Sequence, residues 1–247
     1  MANQHIYGRH PVLEALRSGT KVRAIFLAQG QTEKGIIAEI ITLANQVGIA
    51  RVQWVGRKKL ARLVEANANH QGVVAEIAPF GYSTIEKILA HSKQRGEPPF
   101  LLLLDGIQDV HNFGALLRTA EAAGMHGVII PQRRAASVTP TVYKSSAGAV
   151  NYLPIAQITN LTRTIKQLQA QNIWVVGLEM AGEQLYHQAN LKGPLAIVVG
   201  AEGKGLSRLV AQNCDFLVQL PMTGRVESLN ASVSGAILIY EALRQRS

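Results

Sequence analysis

Three polar loops in this chain each follow an apolar run, and together they hold the residue types from which a binding or catalytic site can be assembled. The first, DGIQDVHNFGALLRTA from Asp105, enters a predicted helix. Its Asn112 has the residue type of a helix N-cap, Gly114 allows a ligand or a second backbone to approach, and Arg118 follows further along the same helix. The second, Gly200-Ala-Glu202-Gly203-Lys204-Gly205-Leu206-Ser207, places three glycines within six residues before a predicted helix, an arrangement that offers backbone amides to a polar ligand. Its order excludes two nucleotide signatures. A P-loop needs Lys after the second glycine of GxxxxG, where this chain has Leu206, and the dinucleotide pattern GxGxxG is replaced by GxxGxG. Glu202 in mid-loop repels phosphate and suits a ligand that carries positive charge. The third, LPMTGRVESLNASVSG from Leu220, gathers Ser228, Asn230, Ser232 and Ser234 at the start of a long apolar helix expected over residues 228–246. Ser228 has the type of its cap, which leaves Asn230 unexplained.

Elements that bring such loops together are legible in the hydropathy pattern. From Phe100 onward FLLLLD, HGVIIP, YLPIAQI, NIWVVGL, LAIVVG and FLVQLP are continuously apolar and alternate with helical stretches. Strands of that kind are buried on both faces, so the pattern predicts a parallel sheet covered by helices, with ligands outside the carboxyl ends of its strands. Before Ala78 shorter helical and extended signals alternate, as in a small α/β domain. The expected organisation is a domain over 1–78, a Pro- and Gly-bearing linker over 79–99 that includes one short helical stretch, and a larger α/β domain over 100–247.

Composition narrows the partners. The 247 residues carry 25 Lys and Arg against 16 Asp and Glu, a net charge of +9. Residues 1–78 hold ten basic and five acidic side chains, so the excess is densest there and points to a polyanion such as RNA or DNA. Arg9, Arg57, Lys58, Lys59 and Arg62 are the candidate contacts in that part, with Arg133 and Arg134 in the larger domain; a solvated helix face is the plainer account of the 57–62 cluster. A single cysteine, Cys214, excludes an internal disulfide framework and paired-cysteine zinc sites, and no HExxH occurs, so no metal site is expected. The absence of a membrane span and of a secretory start predicts a cytoplasmic protein.

Read together, DGIQDVHNFGALLRTAEAAG, IVVGAEGKGLS and LPMTGRVESLNASVSGAILIYEALRQ resemble the three motifs of the SPOUT methyltransferases of the TrmH/SpoU branch, which methylate ribose 2′-hydroxyls in RNA. The opening IYGRHPVLEAL and the later HQGVVAEI extend the resemblance to the RNA-binding domain of bacterial 23S rRNA guanosine 2′-O-methyltransferases of the RlmB group. The resemblance implies an L30e-like N-terminal domain and a C-terminal domain with a deep trefoil knot that binds S-adenosylmethionine and forms a homodimer. It implies active-site roles for Asn112, Arg118, Glu202 and Asn230, and a cofactor held around Gly200, Leu220 and Leu229 with Ser228 nearby. The substrate it implies is a guanosine in 23S rRNA or a large-subunit precursor. A tRNA ribose methyltransferase and a noncatalytic RNA-binding or ribosome assembly factor stand as the alternatives.

Overall fold

A computed structural model describes residues 4–66, 68–226 and 228–247. Glu227, inside the third motif, lies outside the described residues. The chain forms two compact units, Met1–Gly81 with Val138–Tyr152, and Tyr82–Ser137 with Leu153–Ser247.

In the first unit β1 (Gln4–Tyr7), α1 (Arg9–Arg17), β2 (Val22–Ala28), α2 (Ile36–Gln46), β3 (Val52–Val55), α3 (Arg57–Ala61) and β4 (Val73–Ile77) build a four-stranded mixed sheet ordered β1-β4-β2-β3. Pro11 falls in the first turn of α1, where its missing N–H costs no helical bond, and Gly19 at φ +74° ends the helix in the left-handed conformation that glycine adopts freely. Tyr7, Phe26, Val55, Leu60 and Val74 form a buried cluster that includes α3, and the basic side chains of α3 stay exposed around the single buried Leu60.

The second unit opens with α4 (Ile85–Gln94), β5 (Phe100–Asp105), α5 (Val110–Ala122) and β6 (Gly127–Pro131). The chain then contributes α6 (Pro140–Ser145) and a short 3₁₀ turn to the first unit. It returns with β7 (Ile155–Ile158), α7 (Leu161–Gln169), β8 (Trp174–Leu178), β9 (Gln184–Leu185), β10 (Leu195–Gly200), α8 (Arg208–Asn213), β11 (Phe216–Gln219) and α9 (Ala231–Arg246). All seven strands are parallel, in the order β7-β6-β5-β10-β8-β11-β9. The stretch 79–99, expected as a linker, thus carries a helix that belongs to this unit. Ile85, Ile88 and Leu89 place an i, i+3, i+4 apolar stripe on α4, and Ile88 is fully buried beside Leu101, Leu103 and Ile129. The Pro and Gly residues that suggested a linker lie at the two ends of that helix.

Register fixes where ligands meet the sheet. Gly200 pairs with Asp105, Val199 with Leu178, and Val218 also with Leu178, so the loops after β5, β8, β10 and β11 leave from one edge. From β5 the chain moves outward through β6 to β7, and later elements fill the other side, which makes the β5/β10 boundary a topological switch point where a crevice opens.

At the opposite edge His126 is buried; its Nδ1 accepts from the Phe100 N–H at 3.1 Å, and its Nε2 lies 3.1 Å from Glu97 Oε2. The neutral ring therefore carries its proton on Nε2 and donates it to Glu97. Burial holds its pKa below the ordinary histidine value, with Arg95 and His91 acting in the same direction and Glu97 against it. The unfolded chain then binds the proton more readily than the folded one, so stability falls as pH drops below ~6.5 and levels off below the folded pKa. Urea midpoints measured from pH 7.5 to 5.0 are expected to fall in the wild type and to fall less in His126→Asn, whose amide oxygen still accepts from Phe100. Parallel profiles would remove His126 from the acid response.

Candidate active site

The N-cap of α5 is Asp109, whose Oδ1 accepts from the N–H groups of His111 (2.9 Å) and Asn112 (2.7 Å). The expectation that Asn112 caps this helix is thereby corrected, because a carboxylate three residues earlier already serves the first-turn amides. Asn112 is left with a free side chain, and its Nδ2 donates to Glu202 Oε2 at 3.2 Å. The last helix starts at Ala231, not Ser228, and its cap is Asn230, whose Oδ1 accepts from the N–H groups of Ser232 (2.9 Å) and Val233 (3.4 Å) and from Ser232 Oγ (2.6 Å). The amide nitrogen of Asn230 donates to the same Glu202 Oε2 at 3.3 Å. One carboxylate oxygen thus joins the first turn of α5 and the loop after β10 to the start of α9.

The glycine-rich segment is a closed hairpin. Ala201 and Gly205 exchange both backbone bonds, at 3.1 and 2.9 Å, with Gly203 and Gly205 at positive φ. The Leu206 N–H donates to Glu179 Oε2 (2.9 Å) and the Ser207 N–H to Asp105 Oδ2 (2.7 Å). Of the amides expected to be free for a polar ligand, those of Ala201, Lys204, Gly205, Leu206 and Ser207 are therefore held inside the protein, the last two by carboxylates. A Cβ at Gly200 would lie 2.2 Å from the Gly205 carbonyl carbon and oxygen, so the hairpin folds back against that strand end only because residue 200 has no side chain.

On one side of the hairpin is a cavity of about 270 Å³ whose wall includes Gly200, Leu220, Ser228 and Leu229, all four residues singled out for the cofactor. Leu178, Val199 and Met222 give it apolar surface, and Glu179 and Glu202 are its ionisable lining residues, with no Lys or Arg among the described residues there. The fit is to an uncharged aromatic base with a cationic tail, as in S-adenosylmethionine, and not to a phosphorylated nucleotide. Glu179 was not apparent in the sequence. It stands as a single acid after NIWVVGL, and its position at the carboxyl end of a continuously apolar strand was the available signal.

On the other side is a groove of about 780 Å³ that shares Ala201, Glu202 and Gly205 with the cavity and whose lining includes Asp109, Asn112, Arg133, Arg134, Asn160 and Lys204. Arg134 sits at φ +57°, a conformation disfavoured for a residue with a side chain. Arg118 is exposed on α5, lines neither space and makes no ion pair or hydrogen bond among the described residues. Glu202 orders the two asparagines. Arg57, Lys58, Lys59 and Arg62 are exposed on and just after α3, and Arg9 is exposed at the start of α1, where its Nε donates to the Gln71 carbonyl at 3.4 Å. Burial pushes the Cys214 thiol up to about 12, which makes it inert at neutral pH.

Residues 99–240 match the SpoU rRNA Methylase family. The chain belongs to that family. Residues 5–83 match the family described as RNA 2′-O ribose methyltransferase substrate binding. YacO of Bacillus subtilis, assigned to the TrmH family of tRNA/rRNA methyltransferases, is 43% identical across all of this chain and 98% of its own length. Among solved structures, the SpoU methyltransferase AviRb of Streptomyces viridochromogenes with bound AdoMet aligns over 98% of this chain and 90% of its own, with 25% identity and a TM-score of 0.82. An AdoMet-bound rRNA methyltransferase of Sinorhizobium meliloti aligns over 98% and 87%, with 25% identity and a TM-score of 0.77. This SpoU methylase is accordingly an RNA 2′-O-ribose methyltransferase that uses S-adenosylmethionine. The α/β architecture is that of a SPOUT domain preceded by a smaller N-terminal domain. No helix among the described residues is long and apolar enough to cross a membrane.

Proposed function

We propose that this SpoU methylase transfers the methyl group to the 2′-hydroxyl of a guanosine in 23S rRNA, acting in the cytoplasm as a homodimer joined through its knotted C-terminal domain. The observation that carries the reading is the Glu202 oxygen shared by Asn112 and Asn230 on the wall between an acid-lined cavity without Lys or Arg among the described residues and a groove that carries basic residues. The cavity takes the cofactor, which when bound supplies an electrophilic methyl with a neutral thioether as its leaving group. The groove takes the nucleotide. Asn112 and Asn230, fixed by Glu202, orient the ribose hydroxyl towards the shared wall, and Arg133, Arg134 and Lys204 hold phosphates. Asp105 and Asp109 line the groove with carboxylate oxygens, acceptors that match the N–H groups on the Watson–Crick edge of guanine.

Arg118 is an unneutralised cation, and as a base an ordinary guanidinium is too weak at neutral pH. Its role here is to stabilise the oxyanion that develops as the hydroxyl loses its proton. Within its own protomer it lines neither space, which favours action across a dimer. Val233 and Tyr240, seven residues apart on one face of α9, are 48% and 50% exposed and supply an apolar contact for the second copy. Arg9, Arg57, Lys58, Lys59 and Arg62 add salt-dependent RNA affinity from the first unit. An rRNA target is supported by the Sinorhizobium meliloti rRNA methyltransferase, whose likeness spans both units of this chain.

The test is to incubate the protein with radiolabelled S-adenosylmethionine and unmodified 23S rRNA or unmodified tRNA, and to map the labelled ribose. One guanosine in 23S rRNA is expected; label only in tRNA would overturn the substrate. In the same assay Arg118→Ala is expected to lower kcat by about 10²- to 10³-fold with cofactor affinity intact. An unchanged rate would remove Arg118 from catalysis, and absence of label in either RNA with cofactor bound would point to a large-subunit precursor as substrate or to the noncatalytic assembly role.

A further inference from the structure

Glu179 is the acidic residue of the cofactor cavity that no motif accounts for. It follows β8 directly, and both its oxygens are engaged: Oε1 accepts from the Met180 N–H at 3.0 Å and Oε2 from the Leu206 N–H at 2.9 Å. The carboxylate lies against Gly205, where a Cβ would meet both oxygens at 2.6 Å. Gly205 is one of the three residues common to the cavity and the groove. A methyl group in transit between the two spaces has to pass at that shared wall, so the sulfonium that carries it sits at the same wall. The adenosine and the far end of the amino-acid tail then extend away from it.

The Leu206 bond alone does not require a charge, since a neutral carbonyl also accepts from an N–H, if less strongly. What a carboxylate adds in a cavity without Lys or Arg is a negative potential at the point where the donor is positive and the product is not. We propose that Glu179 is a specificity-determining residue for the cofactor: its carboxylate faces the sulfonium and makes the site favour S-adenosylmethionine over S-adenosylhomocysteine. The second acid of the cavity, Glu202, takes both asparagine amides on Oε2 and sets their geometry. Selectivity against the neutral thioether speeds product exchange, because the attraction ends once the methyl has left. The inference rests on S-adenosylmethionine as donor and is independent of which RNA is modified.

The experiment is calorimetric titration of the RNA-free protein and of Glu179→Gln with S-adenosylmethionine and, separately, S-adenosylhomocysteine. The glutamine carbonyl keeps the Leu206 N–H satisfied but its amide nitrogen cannot accept from the Met180 N–H; that loss is common to both ligands, so the donor-to-product ratio reports the charge. Roughly tenfold weaker donor binding is expected, with product affinity within about twofold of wild type. Equal weakening of both ligands would assign Glu179 to the loop, the ribose or the ammonium and overturn the proposal, as would no change in either. Glu179→Asp keeps the charge and is expected to keep a preference for the donor even where shortening weakens both ligands; loss of that preference would count against the proposal. Each readout is a ratio of affinities, so it stands apart from RNA choice and from the fraction of protein folded.

Discussion

Gly200→Ala is expected to eliminate measurable cofactor binding at ordinary ligand concentrations, a loss of at least about 100-fold, and with it methyl transfer. The added methyl would lie 2.2 Å from the Gly205 carbonyl and 2.5 Å from the Leu206 nitrogen, all backbone atoms with no rotamer to yield. Relief requires moving the hairpin away from β10, which breaks the Ala201–Gly205 pairing and the Leu206 bond to Glu179 and draws Glu202 from its two asparagines. Because the displaced segment is a surface loop, the stability loss should stay near ~1–3 kcal/mol, and the protein remains folded. Gly203→Ala is the control. It shares the hairpin and a positive φ of +72° but meets nothing within 4 Å, so it should carry backbone strain of about 1–2 kcal/mol and weaken the cofactor far less. Calorimetric titration and thermal melting of the two variants decide the matter, and comparable affinities would show that Gly200 does not shape the site.

A chain cut after residue 99 is expected to lack a stable first unit unless residues 138–152 are supplied to it. That unit includes α6, whose Val142 and Tyr143 are buried, with the Tyr143 ring edge-on to Phe80 at 6.5 Å. Polar ties accompany the packing. Thr20 Oγ1 donates to Asn151 Oδ1 at 3.0 Å, the Tyr152 hydroxyl donates to Glu14, and Lys144 reaches the Asn69 carbonyl at 3.4 Å while lying over the Tyr7 ring. Truncating a large buried aromatic side chain costs about 3–5 kcal/mol, comparable with the whole stability of a small domain. Fragment 1–99 should therefore unfold without a cooperative transition, and a version with 138–152 joined through a flexible linker should regain one. Equal midpoints for the two would show that the first 81 residues stand alone. RNA-binding measurements on the short fragment would otherwise report on its folding.

How much of this was legible in the sequence differed by physical cause. FLLLLD and LAIVVG are apolar throughout because β5 and β10 are buried on both faces, and a pattern that extreme allows few other readings. The two-residue β9 left no periodicity to detect, and α6 reads as part of the larger domain because a sequence does not say which core a six-residue helix joins. Asn112, Glu202 and Asn230 were named from their motifs, and Glu202 lies within hydrogen-bond reach of both asparagines. Their division of labour was hidden, since a residue suited to capping is not distinguishable by type from one released by a better cap nearby. Arg118 shows the limit from the other side: its motif marks it, yet it lines neither the cavity nor the groove.

The silent thiol of Cys214 has a practical consequence. With the native sulfur a poor nucleophile near neutral pH, a cysteine introduced at exposed Lys204 would be the one side chain open to maleimide chemistry. A fluorophore or spin label attached there would sit on the hairpin between the cavity and the groove. Its signal could follow each ligand's arrival in real time, with no need to strip the background by prior mutation.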